Sequence, residues 1–189
     1  LLMVFVSSLT GNPDRAGEAG AYELLINGWA RSSGMFSLNT ATVKGLESMR
    51  LNAAGLTFVE KTEVGVSYTL WMQGTGTNIA KAGVAQKIGE GNVLGVTIMN
   101  TSFGDIQRTT TQNPEGGLGT YSPNFMNIVL SYAREFSNSI RGGVVVRLIN
   151  ERVDDINATG FALDAGIQYV TGPRDNLHFG VAIRNIGTP

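Results

Sequence analysis

His178 is the single histidine of this 189-residue chain, and there is no cysteine. A Ser-His-Asp arrangement would have to run through His178, and no nucleophile elbow is present to lift a serine out of a strand end. His178 therefore reads as a hydrogen-bonding residue on the polar side of a strand. Asp154 and Asp155, followed by Asn157, offer the oxygen donors that a hard cation such as Ca²⁺ takes. Their spacing is not that of an EF-hand, and acidic loop residues are ordinarily solvated. Gly89-x-Gly91-x-x-x-Gly95 has the look of a phosphate loop, but it lacks the Lys-Ser/Thr and lies between two strand patterns. It reads as a hairpin turn. No catalytic residue, metal site or cofactor is expected.

Composition narrows the classes further. Without cysteine there is no disulfide framework and no thiolate chemistry. A net charge of -1 excludes bulk electrostatic attraction to nucleic acid, so no nucleic-acid partner is expected. Charged residues make up 15% of the chain, against about 25% in ordinary soluble domains. Such a chain is either a soluble all-β domain or a barrel whose outer surface meets lipid.

The elements that must position these residues are strands. Period-2 alternation runs through residues 63–73, 78–88, 92–103, 124–135, 140–150, 159–170 and 177–186. Val144, Val146, Phe161, Leu163, Ile167, Phe179 and Val181 fall on apolar faces and are expected to meet lipid. Arg147, Asp164, Gln168, His178 and Arg184 fall on the opposite faces and form a candidate lumen network. These stretches of roughly 10–12 residues exceed the common strand length of about 5–6 and match the roughly 9–11 needed to span a bilayer. The polar faces carry mostly Gly, Ala, Ser, Thr and Asn, which suits a crowded lumen better than bulk water.

Connections give a third indication. Gly74–Thr77, Gly89–Asn92, Phe136–Asn138 and Thr171–Asn176 are short, whereas Gly104–Pro123 is long and Glu151–Ala158 intermediate. The longer loops fall on one edge of the sheet, as in outer-membrane barrels. Pro114, Gly116, Gly117 and Gly119 forbid a strand in the long loop. Its Asp105, Arg108 and Glu115, with Asp154 and Asp155 in the neighbouring loop, form a candidate partner-binding surface. Trp71, Tyr121, Tyr169 and Phe179 lie near strand ends and are candidates for an interfacial girdle.

The predicted fold is therefore all-β, an antiparallel transmembrane β-barrel with about seven strands here and an irregular N-terminal plug-like segment. Residues 1–8 read as a signal-peptide remnant, 9–62 as the plug-like segment and 63–189 as barrel strands. A helix is expected over Thr42–Met49 with Thr42 as its cap. An odd number of strands leaves two edges open, so the barrel is expected to be incomplete. A soluble β-sandwich or lipocalin-like binder is the competing architecture.

The chain also resembles a known family. Gly28-Trp29-Ala30-Arg31, Gly34-Met35, Gly45-Leu46-Glu47-Ser48 and Asn52-Ala53-Ala54-Gly55-Leu56 resemble the N-terminal region of the PorV/PorQ family of Bacteroidota outer-membrane proteins. Ala53 stands where the family's NPAGL turn usually has Pro. Phe103-Gly104-Asp105-Ile106, Asn113-Pro114-Glu115-Gly116, Ser131-Tyr132-Ala133-Arg134, Val153-Asp154-Asp155 and Ala158–Ala162 continue the likeness, which covers most of residues 20–187. The family is similar to 14-stranded FadL-like barrels, so the resemblance implies about half of such a barrel. It implies a bacterial outer-membrane protein of the type IX secretion system, with outer-membrane lipid as its surroundings. Its partners would be other secretion proteins: the translocon and the C-terminal signal domains of exported cargo. The alternative within this architecture is a FadL-like channel for hydrophobic small molecules.

Overall fold

The computed structural model describes residues 21–187; the expected signal remnant at 1–8 and the start of the plug-like segment lie outside the described residues. The strands are β1 (Thr62–Leu70), β2 (Asn78–Lys87), β3 (Asn92–Ser102), β4 (Ile106–Gln107), β5 (Thr120–Tyr121), β6 (Asn124–Glu135), β7 (Ile140–Val153), β8 (Ile156–Thr171) and β9 (Leu177–Gly187). Seven of them form one sheet in the order β1-β2-β3-β6-β7-β8-β9, every neighbour antiparallel. β4 and β5 pair separately inside the long loop. β1 and β9 are the edges of the sheet and do not pair with each other.

Alternation decides the two faces. On the outer face Val66 is 79% exposed and Val181 71%, and Phe161, Leu163, Ile167, Phe179, Val144 and Val146 are exposed to 41–58%. One apolar surface thus runs across all seven strands, far more than a lone exposed leucine would signify. No helix is long and apolar enough to cross a membrane, which bears on helices alone.

The inner face is covered by the segment before β1. That segment holds a 3₁₀ turn (Tyr22–Leu25), α1 (Ala30–Gly34), a 3₁₀ turn (Gly45–Glu47), α2 (Ser48–Leu51) and a 3₁₀ helix (Ala53–Phe58). Trp29, Leu46, Met49, Ala53, Leu56 and Val59 pack there against Ala85, Val93, Val129, Ala133 and Val145 of the wall. Glycines let the two backbones meet. A Cβ on Gly143 would lie 2.6 Å from the carbonyl carbon of Ala53, and one on Gly180 would lie 2.6 Å from Cα of Ala41. One on Gly166 would collide with the Asn52 side chain. Gly143 and Gly166 are register partners on β7 and β8. The small residues on the polar faces are therefore the bed of the plug.

Several expectations need correction. The helix does not span Thr42–Met49: Gly45 adopts φ +67, which interrupts any helix through it, and a 3₁₀ turn (Gly45–Glu47) followed by the short α2 (Ser48–Leu51) stands there instead. Thr42 instead gives its backbone N–H to the Asn39 carbonyl. Asn52-Ala53-Ala54-Gly55-Leu56 is more than a turn, since Asn52 caps a buried 3₁₀ helix through the N–H of Ala54 at 3.2 Å. The first strand ends at Leu70 rather than residue 73, because Met72 turns at φ +53. The intermediate loop at Glu151–Ala158 is a two-residue hairpin. Val153 pairs with Ile156, and Asp154 takes the φ of +54 that primed turns need at their first central position. The long loop, expected to be free of strand, carries the β4–β5 ladder on either side of its Pro114–Gly119 stretch.

Candidate functional site

Two groups of polar residues stand out, one between plug and wall and one on the long-loop edge.

The first centres on Arg147. Its Nε donates to Oδ2 of Asp164 at 2.9 Å, the two form a buried ion pair, and its Nη2 donates to the Met49 carbonyl at 3.0 Å. Asp164 Oδ1 in turn accepts the Asn185 backbone N–H at 2.7 Å. Buried charges need partners of this kind, and here both oxygens of the acid are used. Gln168 donates to the carbonyls of Thr40 and Val43 at 3.1 Å each. Asn52 reaches from the plug to the Ile167 carbonyl at 3.0 Å. These bonds tie residues 40–52 to β7 and β8.

Of the five residues proposed for a lumen network, Arg147 and Gln168 bond to the plug and Asp164 joins them through Arg147. His178 is half-buried on β9 near the turn after β8, away from them. Arg184 does not join Asp164. A register irregularity between Leu163 and Ala165 brings the Asn185 N–H to that carboxylate, and Arg184 is left exposed beside a cavity.

Sequence reasoning missed the plug's own polar residues. Arg50, 7% exposed, donates through Nη2 to the Leu24 carbonyl. Burial lowers its pKa to about 10, with repulsion from Arg147 and Arg184 adding to the effect. Lys81 on β2 lies 4.8 Å from the Trp29 ring centroid, a cation–π contact across the same interface. Glu23 is pushed up to about 7 by burial, with the Glu151 carboxylate adding to the rise. A single Arg within Ser48–Leu51 and a single Glu in Tyr22–Leu25 carry no local pattern that would have singled them out.

The second group lies at the other end of the wall. Arg108, next to β4, forms an ion pair with Asp154 of the β7–β8 hairpin and sits 5.8 Å from the Tyr121 ring centroid. Asp105 accepts the Ser122 hydroxyl. Glu115 and Asp155 are exposed, as are Leu118 and Ile156. The structure thus joins the long loop and the hairpin into one polar surface with apolar residues set in it. Among the described residues no cluster of three or more His, Asp or Glu gathers, and Asp154 is committed to Arg108. Tyr169 and Phe179 pair on the outer face, ring centroids 6.2 Å apart. Trp71 and Tyr121 sit toward the opposite edge, Tyr121 in the small ladder rather than in the wall.

A family model described as type IX secretion system protein PorV matches residues 12–172. No curated protein matches the chain.

Proposed function

The chain belongs to the PorV family and is thus a component of the type IX secretion system, and we propose that it forms wall and plug of an outer-membrane β-barrel that binds exported proteins at its long-loop edge. The apolar outer face and strands of 9 to 16 residues support the membrane setting. Hydrocarbon tolerates no open sheet edge, so β1 and β9 are to be completed by further strands, from this chain or another. β1, with Val64, Val66, Tyr68 and Leu70 outward, is an apolar flank suited to packing beside the translocon.

The observation that carries the binding role is the Arg108–Asp154 pair, which fuses two loops into one surface. A mixed surface of exposed charges, backbone edges and isolated apolar residues such as Ile156 and Leu118 suits transient protein contacts. Exported chains with C-terminal signal domains are the partners it would take. The channel alternative calls for an apolar passage along the inner face. That face is instead covered by the plug, and the cavity beside it is lined by two arginines.

The test replaces Gln107–Leu118 by a short Gly-Ser linker in the bacterium that carries the protein. Normal abundance in the outer membrane with impaired cargo delivery to the surface supports the reading. Normal abundance with normal delivery refutes it. Should abundance fall, Arg108→Ala, at an exposed pair, supplies the same comparison without removing the loop.

A further inference from the structure

Between the plug and β9 lies an open cavity of about 430 Å³, lined by Leu25, Arg50, Ala182, Ile183, Arg184 and Asn185. We propose that it is a binding site for one carboxylate, held between Arg50 and Arg184.

Arg50 is 7% exposed, and its Nε and Nη1 have no hydrogen-bond partner among the described residues. A guanidinium has five donors, and buried donors in folded proteins are nearly always paired. Asp164 is the acid whose charge reaches Arg50 favourably, but it is already engaged by Arg147 and by the Asn185 N–H. Arg147 and Arg184 repel Arg50 at the same time. The region therefore holds uncompensated positive charge and unused donors in a place with room for a ligand. A carboxylate fits both needs, since its two oxygens match the guanidinium fork. Leu25 and Ala182 provide apolar walls for the carbon chain that bears it.

Such a carboxylate has two possible sources. One is a free small acid entering from the open side. The other is an Asp or Glu side chain on a strand that pairs with the outer edge of β9, the strand that carries Arg184. This inference does not depend on the cargo reading, and its readouts involve no cargo.

The experiment uses the full-length protein in a nonionic detergent. Thermal stability is followed in sodium acetate and in sodium chloride at matched ionic strength, for wild type and Arg184→Gln. Arg184 is exposed, so its replacement leaves the fold intact; Arg50→Gln also loses the bond to Leu24 and serves only as a second variant. A rise in Tm with acetate over chloride that shrinks in Arg184→Gln shows a free-acid site. If acetate acts like chloride, a cryo-EM map decides. An Asp or Glu carboxylate within hydrogen-bond distance of Arg50 or Arg184 shows the strand-borne source. The proposal is overturned if acetate has no specific effect and no carboxylate oxygen approaches either guanidinium.

Discussion

Arg147 on β7 binds Asp164 on β8 and the carbonyl of Met49 in the plug at once, so a single side chain joins two strands of the wall to the segment they enclose. Its guanidinium is 3% exposed and the carboxylate 5%. Arg147→Ala leaves Asp164 as a buried, half-paired charge and should cost about 3–5 kcal/mol. Replacing both residues with apolar side chains of similar volume should cost less than the single change. Urea unfolding of the protein in lipid vesicles, with the double-mutant cycle completed, gives both values.

The outer face gives a depth-dependent prediction. Leu163→Arg places a charge near the middle of the longest strand and should cost about 2–4 kcal/mol. Leu177→Arg, on the same outer face but at the first residue of β9, should cost about 0–1 kcal/mol. Equal costs in vesicle unfolding would show that neither residue meets hydrocarbon.

A pH effect follows from Glu23. Its folded pKa, about 7, lies above the ordinary carboxyl value of 4.5, so the folded state holds the proton more tightly. The stability it contributes is full below about pH 4.5 and is lost as pH rises through about 7. Glu23→Gln keeps the amide-sized side chain without the titration. It should flatten the stability profile between those two pH values, measured by denaturant midpoint at each pH.

The loop pair behaves differently. Arg108 and Asp154 are 42% and 30% exposed, and pairs of that kind contribute about 0–1 kcal/mol. Asp154→Asn, which keeps a residue tolerant of positive φ, should leave Tm nearly unchanged while loosening the long loop from the hairpin. Faster amide hydrogen exchange over residues 106–121 is the expected readout. Unaltered exchange there would mean that the ion pair does not hold the loop.

The wall was legible in the sequence because its rule is local. Side chains alternate every residue, so Leu163 and Asp164 could be assigned to opposite faces without knowing their neighbours. The Asp154–Asp155 hairpin was missed because two acidic residues lack the Asn-Gly signature of a tight turn, and Asp154 reaches positive φ all the same. Arg184 alternates as an inner-face residue, but the irregularity near Leu163 is a property of the pairing between two strands, not of either alone. The plug was harder still. Arg50 finds the Leu24 carbonyl 26 residues away, and Asn52 reaches the Ile167 carbonyl 115 residues away. No window along the chain contains such contacts.

The glycine bed carries a consequence for assembly. Sliding a strand by one residue exchanges its two faces. At Gly143, Gly166 and Gly180 such a slip would bring Val144, Ile167 or Phe179, or else Gly142, Ala165 or Val181, under the plug. There Ala53, Asn52 and Ala41 already press against bare backbone. On β8 and β9 every alternative adds a side chain where even a methyl group has no room. The plug therefore acts as a gauge: it seats only on correctly paired strands, and a misaligned wall would betray itself by an unseated, exposed N-terminal segment.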